Sequence, residues 1–194
     1  MTFNKTIHDI LTATYPPFAN WQGVPIQKNP FDLLLYQEAI YETKPVGIIE
    51  TGSMHGGSAV FFPDMMQLAH GWEKKVGVLS LDVTERDYPE DPRCTFVWCD
   101  SVDETALEEC ERFVRWCDGP VMVVLDADHS DYGVARELAF LPEFVSPGQW
   151  LVVEDTSHTS GLKAVEAFQQ ERPEFQPVDQ SRYLCTYNSW MRRS

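Results

Sequence analysis

The chain has 194 residues, 43% of them hydrophobic and 12% aromatic, which is enough apolar side chain for one sizeable core in one ordinary domain. Its formal net charge of -15 repels phosphate backbones and argues against a nucleic-acid partner. No stretch approaches the ~20 apolar residues of a membrane span, and the five cysteines (Cys94, Cys99, Cys110, Cys117 and Cys185) include no C-x-x-C pair, against a disulfide framework or a zinc ribbon. Residues 3–14 carry Ile7, Ile10 and Leu11 at helical spacing and read as a short amphipathic helix. Residues 15–30 are a proline-rich arm expected to wrap the surface as a lid or an oligomer contact, ahead of a main domain over 31–194. Phe31 to Thr43 follows a helical rhythm behind Pro30. Strands and helices then alternate. Strands are predicted at Val46–Glu50, Val76–Asp82, Thr95–Cys99, Val121–Asp126 and Trp150–Asp155, with helices at Gly57–His70, Asp103–Trp116, Tyr132–Phe140 and Gly161–Glu171. Phe175–Val178 and Arg182–Tyr187 read as a closing antiparallel pair. Near-continuous apolar strands alternating with helices predict a single α/β domain, Rossmann-like and doubly wound. Its sheet is mostly parallel, with an antiparallel strand at the C-terminal end.

Ligands of such sheets bind beyond the carboxyl ends of the strands, at the topological switch point. Those ends read Glu50-Thr51-Gly52, Asp82, Cys99-Asp100-Ser101, Asp126-Ala127-Asp128-His129 and Glu154-Asp155-Thr156. Ser, Asn or Gly would satisfy a strand end equally well, so the recurring carboxylates point to a site. The loop from Gly52 to Ser58 is rich in glycine, lets a ligand approach the backbone, and opens a helix with free N–H groups. It matches neither G-x-G-x-x-G nor Walker A, which argues against NAD and ATP. Glu50 suits a cationic ligand group, Asp82 the hydroxyls of a ribose, and Asp100 and Ser101 an adenine edge. The expected cofactor contacts are Glu50, Thr51, Gly52, Ser53, Gly56, Ser58, Asp82, Asp100, Ser101 and Asp126.

Asp126, Asp128, His129, Glu154 and Asp155 form the strongest constellation. Asp126 and Glu154-Asp155 end two strands expected to be neighbours, so their side chains can converge. Converging carboxylates repel one another unless a cation neutralises them. A hard divalent ion, Mg²⁺ first, with Asp126, Glu154 and Asp155 as ligands, meets that need. His129 lies three residues past Asp126, within reach as a general base beside the metal. His158 is a candidate for the substrate pocket, and His55 for contact with cofactor or substrate.

Together, Trp21-x-Gly23-Val24-Pro25, Glu50-Thr51-Gly52-x-x-x-Gly56-Gly57-Ser58-Ala59, Leu125-Asp126-Ala127-Asp128-His129-Ser130 and Val153-Glu154-Asp155-Thr156 resemble the cephalosporin hydroxylase / rhamnosyl O-methyltransferase family. The resemblance spans Trp21 to Arg192. It implies a class I methyltransferase that uses S-adenosylmethionine and Mg²⁺. It places Glu50, Gly52 and Ser58 at the methionine part of the cofactor, Asp82 at its ribose, and Asp100 and Ser101 at its adenine. It also implies Asp126, Glu154 and Asp155 as metal ligands and His129 where the similar catechol enzymes place a lysine base. Two departures fall on the acceptor pocket: a short segment before Trp21, and no glycine in Tyr187–Arg193. The expected acceptor is a small molecule bearing a sugar or polyol hydroxyl, walled by Tyr15, Trp21 and Phe31. No nucleic acid or membrane partner is expected, the compartment is expected to be cytoplasmic, and the arm leaves a homo-oligomer open. A metal-assisted hydrolase and a non-catalytic cofactor-binding module remain as alternatives.

Overall fold

The first described segment is a hairpin of β1 (Ala19–Trp21) and β2 (Val24–Ile26), turned by Gln22 and Gly23, both at positive φ. The structure is a computed structural model, and it describes residues 19–156, 161–178 and 188–194. The helix expected at 3–14, Tyr15, His158, Cys185 and the strand expected at Arg182–Tyr187 lie outside those residues. The arm is not confined to the surface as expected. Ile26 is 2% exposed, and Trp21 stacks edge-on against Phe61 with ring centroids 4.9 Å apart. Asp64 holds the hairpin down, accepting hydrogen bonds from Trp21 Nε1 (2.7 Å) and Gln22 Nε2 (2.5 Å).

Helix α1 (Pro30–Thr43) starts where its sequence allows. The Asn29 side chain accepts the N–H of Phe31 at 3.0 Å, and Pro30 occupies a first-turn position that needs no N–H. Then follow β3 (Gly47–Thr51), α2 (Gly57–His70), β4 (Gly77–Asp82), β5 (Cys94–Trp98), α3 (Glu104–Trp116), β6 (Val121–Leu125), α4 (Asp131–Phe140), β7 (Trp150–Val153), α5 (Leu162–Glu171), β8 (Phe175–Pro177) and β9 (Ser189–Arg193). Pro63 lies inside α2 and cannot donate to the Ala59 carbonyl one turn back; the Cys94 thiol donates to it instead, at 3.0 Å.

The main sheet has the order β5-β4-β3-β6-β7-β9-β8. The first five of these strands run parallel, and β9 pairs antiparallel with both β7 and β8. The antiparallel end is therefore built by β8, within the expected Phe175–Val178, and by β9 at Ser189–Arg193, where no strand was expected. Successive strand residues serve opposite faces. Ile48, Val78, Met122 and Val152 pack under α1 and α2, while Ile49, Leu79, Val123 and Val153 pack under α3, α4 and α5. The chain runs outward from β3 through β4 to β5, then returns to β6 on the other side of β3. That reversal places the switch point between the ends of β3 and β6, where Thr51 pairs with Leu125 and the next residues are Gly52 and Asp126.

Candidate active site

Gly52 leaves β3 at φ +83°, and a Cβ there would collide with the Asp126 carbonyl, so only glycine lets these two strand ends lie side by side. Gly57 opens α2 directly under the arm, where a Cβ would strike the Pro25 carbonyl and Ile26. Two cavities meet at the switch point, sharing Gly52, Asp82 and Ala127 in their walls. The larger, about 320 Å³, is lined by the glycine loop, by Gln27 and Lys28 of the arm, and by Asp126, His129 and Asp155. The smaller, about 270 Å³, runs past Asp100, Ser101, Arg136 and Glu137.

Of the expected cofactor residues, Gly52, Ser53, Ser58, Asp82, Asp100, Ser101 and Asp126 line one cavity or the other. Glu50, Thr51 and Gly56 do not; Glu50 and Thr51 work from beneath. The Thr51 hydroxyl accepts the N–H of Asp126 at 3.1 Å. Glu50 is fully buried and accepts from Ser80 at 2.8 Å, and Ser80 in turn pairs with Ser53 at 2.7 Å. Burial pushes the Glu50 carboxyl above its usual range, against the pull of Lys28 and of its hydrogen bonds from Ser58 and Ser80. Asp82 is aimed by two backbone amides, Met54 N at 2.9 Å and Thr84 N at 2.8 Å. Asp100 pairs with Arg136 at 3.1 Å.

Asp126, His129 and Asp155 come together as the constellation predicted: one ligand atom from each lies within 4.8 Å of the others. His129 Nε2 is 3.8 Å from Asp126 Oδ1 and 3.7 Å from Asp155 Oδ2. Two carboxylate oxygens beside an imidazole, partly open to solvent, suit a hard divalent ion. Glu154 falls outside this group. Its Oε1 is held by Lys28 Nζ at 2.7 Å and by the Tyr36 hydroxyl at 2.5 Å. Asp128 accepts the N–H of Ser130, the N-cap of α4, at 2.9 Å, and lines the smaller cavity. Trp21 and Phe31 line neither cavity, so among the described residues the expected aromatic wall does not form. Trp21 is committed to Phe61 and Asp64 instead.

Lys28 is the largest feature the sequence reading missed. It is 7% exposed, and its ammonium lies 2.5 Å from Asp126 Oδ2, 2.7 Å from Glu154 Oε1 and 4.0 Å from Glu50 Oε1. Burial alone would lower its pKa, yet the three carboxylates together raise it well above the ordinary lysine value. Lys28 is 98 residues from Asp126, and nothing in its local pattern marks it. Glu137 was missed too, and here a signal existed. It occupies the apolar stripe of α4 with Gly133, Val134 and Leu138, where a carboxylate needs a reason. It accepts from Ser101 at 2.7 Å, and burial raises its pKa to about 6.

The profile of the rhamnosyl O-methyltransferase/CmcI family matches residues 14–193. This chain belongs to that family. It is 32% identical over 168 residues to a rhamnosyl O-methyltransferase of Mycobacterium leprae (strain TN), covering 79% of this chain and 71% of that protein. It is 31% identical over 169 residues to the same-named protein of Mycobacterium bovis (strain BCG / Pasteur 1173P2), covering 79% and 67%. Among solved structures, CmcI with Mg and SAM superposes with a TM-score of 0.66 at 16% identity, over 91% of this chain and 76% of that one. MycE with Mg, SAH and mycinamycin VI superposes at 0.59 and 16% identity, over 83% and 49%. The Rossmann-like fold and the enzyme class expected from the motifs, an O-methyltransferase, are those of the family.

Proposed function

We propose that this protein transfers a methyl group from S-adenosylmethionine to a hydroxyl of a sugar carried on a small molecule or glycan, with a divalent ion at Asp126 and Asp155. One observation carries the reading: the glycine loop and the Asp126–His129–Asp155 group open into the same cavity. The smaller cavity, with Asp82 between the two, suits the adenosine half of the cofactor. Gly52 and Ser58 would face the methionine half.

S-adenosylmethionine supplies the methyl group, and Mg²⁺ supplies Lewis acidity that lowers the pKa of an acceptor hydroxyl. The chain supplies the rest. His129, whose Nε2 faces Asp126 and Asp155, would take the hydroxyl proton. Asp155, 62% exposed on its side chain, stands at the solvent side where an acceptor enters. The rate gain expected from these walls is mostly that of holding two reactants in line. The sugar acceptor is supported by the rhamnosyl O-methyltransferase relatives and by the mycinamycin complex of MycE. Replacing His129→Ala should lower turnover by about 10²–10⁴-fold while S-adenosylhomocysteine still binds with wild-type affinity. Wild-type rates from that variant would remove His129 from the reaction.

A further inference from the structure

Four acidic side chains stand at the ends of β3, β6 and β7, and they do not share one cation. Glu50, Asp126 and Glu154 surround the buried ammonium of Lys28, while Asp126 Oδ1 turns away from it toward His129 and Asp155. Asp126 thus has two sides, with Oδ2 on the ammonium and Oδ1 on the open cavity. Lys28 is locked in place by what flanks it. The β1–β2 hairpin ends at Ile26, and Asn29 caps α1. Its side chain crosses Tyr36, the same residue whose hydroxyl holds Glu154.

We propose that Lys28 is a positioning residue of the metal site: a permanent cation behind Asp126 and Glu154 that fixes Asp126 with Oδ1 outward and weakens the hold on an exchangeable divalent ion in front. The inference rests on the metal reading above and adds a residue to it. Three carboxylates around one ammonium leave the cluster acidic on balance, which draws a second cation to the open side. Without the ammonium the cluster would be more acidic, and a divalent ion would bind harder and be needed for folding.

The test is Mn²⁺ binding to the intact protein, followed by calorimetry and by the electron paramagnetic resonance of free Mn²⁺. Lys28→Met keeps the alkyl stem and removes the charge. It should bind Mn²⁺ at least tenfold more tightly than wild type and gain more thermal stability from it. Because that variant can fail to fold without metal, the double variant Lys28→Met, Glu50→Gln restores the net charge of the cluster; its Mn²⁺ affinity should fall within threefold of wild type. A folded Lys28→Met protein with unchanged or weaker affinity overturns the proposal, as does a double variant outside that threefold window. If wild-type protein binds no Mn²⁺ at millimolar concentration, the metal reading itself fails, and this inference goes with it.

Discussion

Glu137 shows how much a single buried carboxyl does away from the reacting atoms. Its carboxylate ties Ser101, after β5, to α4, and thereby shapes the smaller cavity. Its pKa is raised from 4.5 to about 6 in the fold. A raised acid contributes stability that is fully present below its unfolded pKa and is lost as pH rises through the folded value. Between roughly pH 4.5 and 6 the loss amounts to about 2 kcal/mol. Glu137→Gln keeps an acceptor for Ser101 and cannot ionise. It should therefore flatten that part of the stability curve and raise the melting temperature at pH 8, as read by thermal denaturation across pH. An unchanged pH profile would mean that Glu137 is relieved by a partner the geometry does not show. At this scale the sequence was informative wherever chemistry and position coincided. His129, three residues beyond a strand-end Asp, was legible; Lys28 was not, because its three partners come from β3, β6 and β7 and no local period announces the meeting.

The element that changed most between expectation and structure is the arm. Proline content and turn residues argued for a surface strap, and they are read correctly as turn chemistry. What they could not show is that residues 19–26 form a hairpin, bury Ile26 and deliver Lys28 to the site. Asp64 is the pin. It takes hydrogen bonds from Trp21 and Gln22 and an ion pair from Arg93 at 2.8 Å. Asp64→Ala should cost about 1–2 kcal/mol, because it removes a buried acceptor shared by Trp21, Gln22 and Arg93. It should also expose the segment around Trp21 to proteases while the parallel strands stay protected from hydrogen exchange. Uniform loss of protection would show instead that Asp64 supports the whole fold. The parallel strands and their helices were legible because each strand is an apolar run buried on both faces. The strand at Ser189–Arg193 was not legible, because only Trp190 and Met191 are apolar in it and they stand between polar residues in sequence.

Across the whole molecule, the switch point gathers nearly everything that matters. Two cavities, a glycine loop, an Asp–His–Asp group and an acidic cluster around Lys28 lie within a few residues of the ends of β3 and β6. The net charge of -15 is spread more widely, and no described helix is long and apolar enough to cross a membrane. Converging carboxylates call for a cation; Lys28 supplies one from within the chain, and the proposed metal would lie on the outer side of Asp126. The most direct measurement of the central claim is transfer of a labelled methyl group from S-adenosylmethionine to a panel of rhamnosides and related glycosides, with Mg²⁺, with EDTA, and with Mg²⁺ restored. The account predicts label on a sugar hydroxyl, lost with EDTA and recovered with Mg²⁺. Transfer that ignores the chelator, or no binding of S-adenosylmethionine at high micromolar concentration, would contradict it.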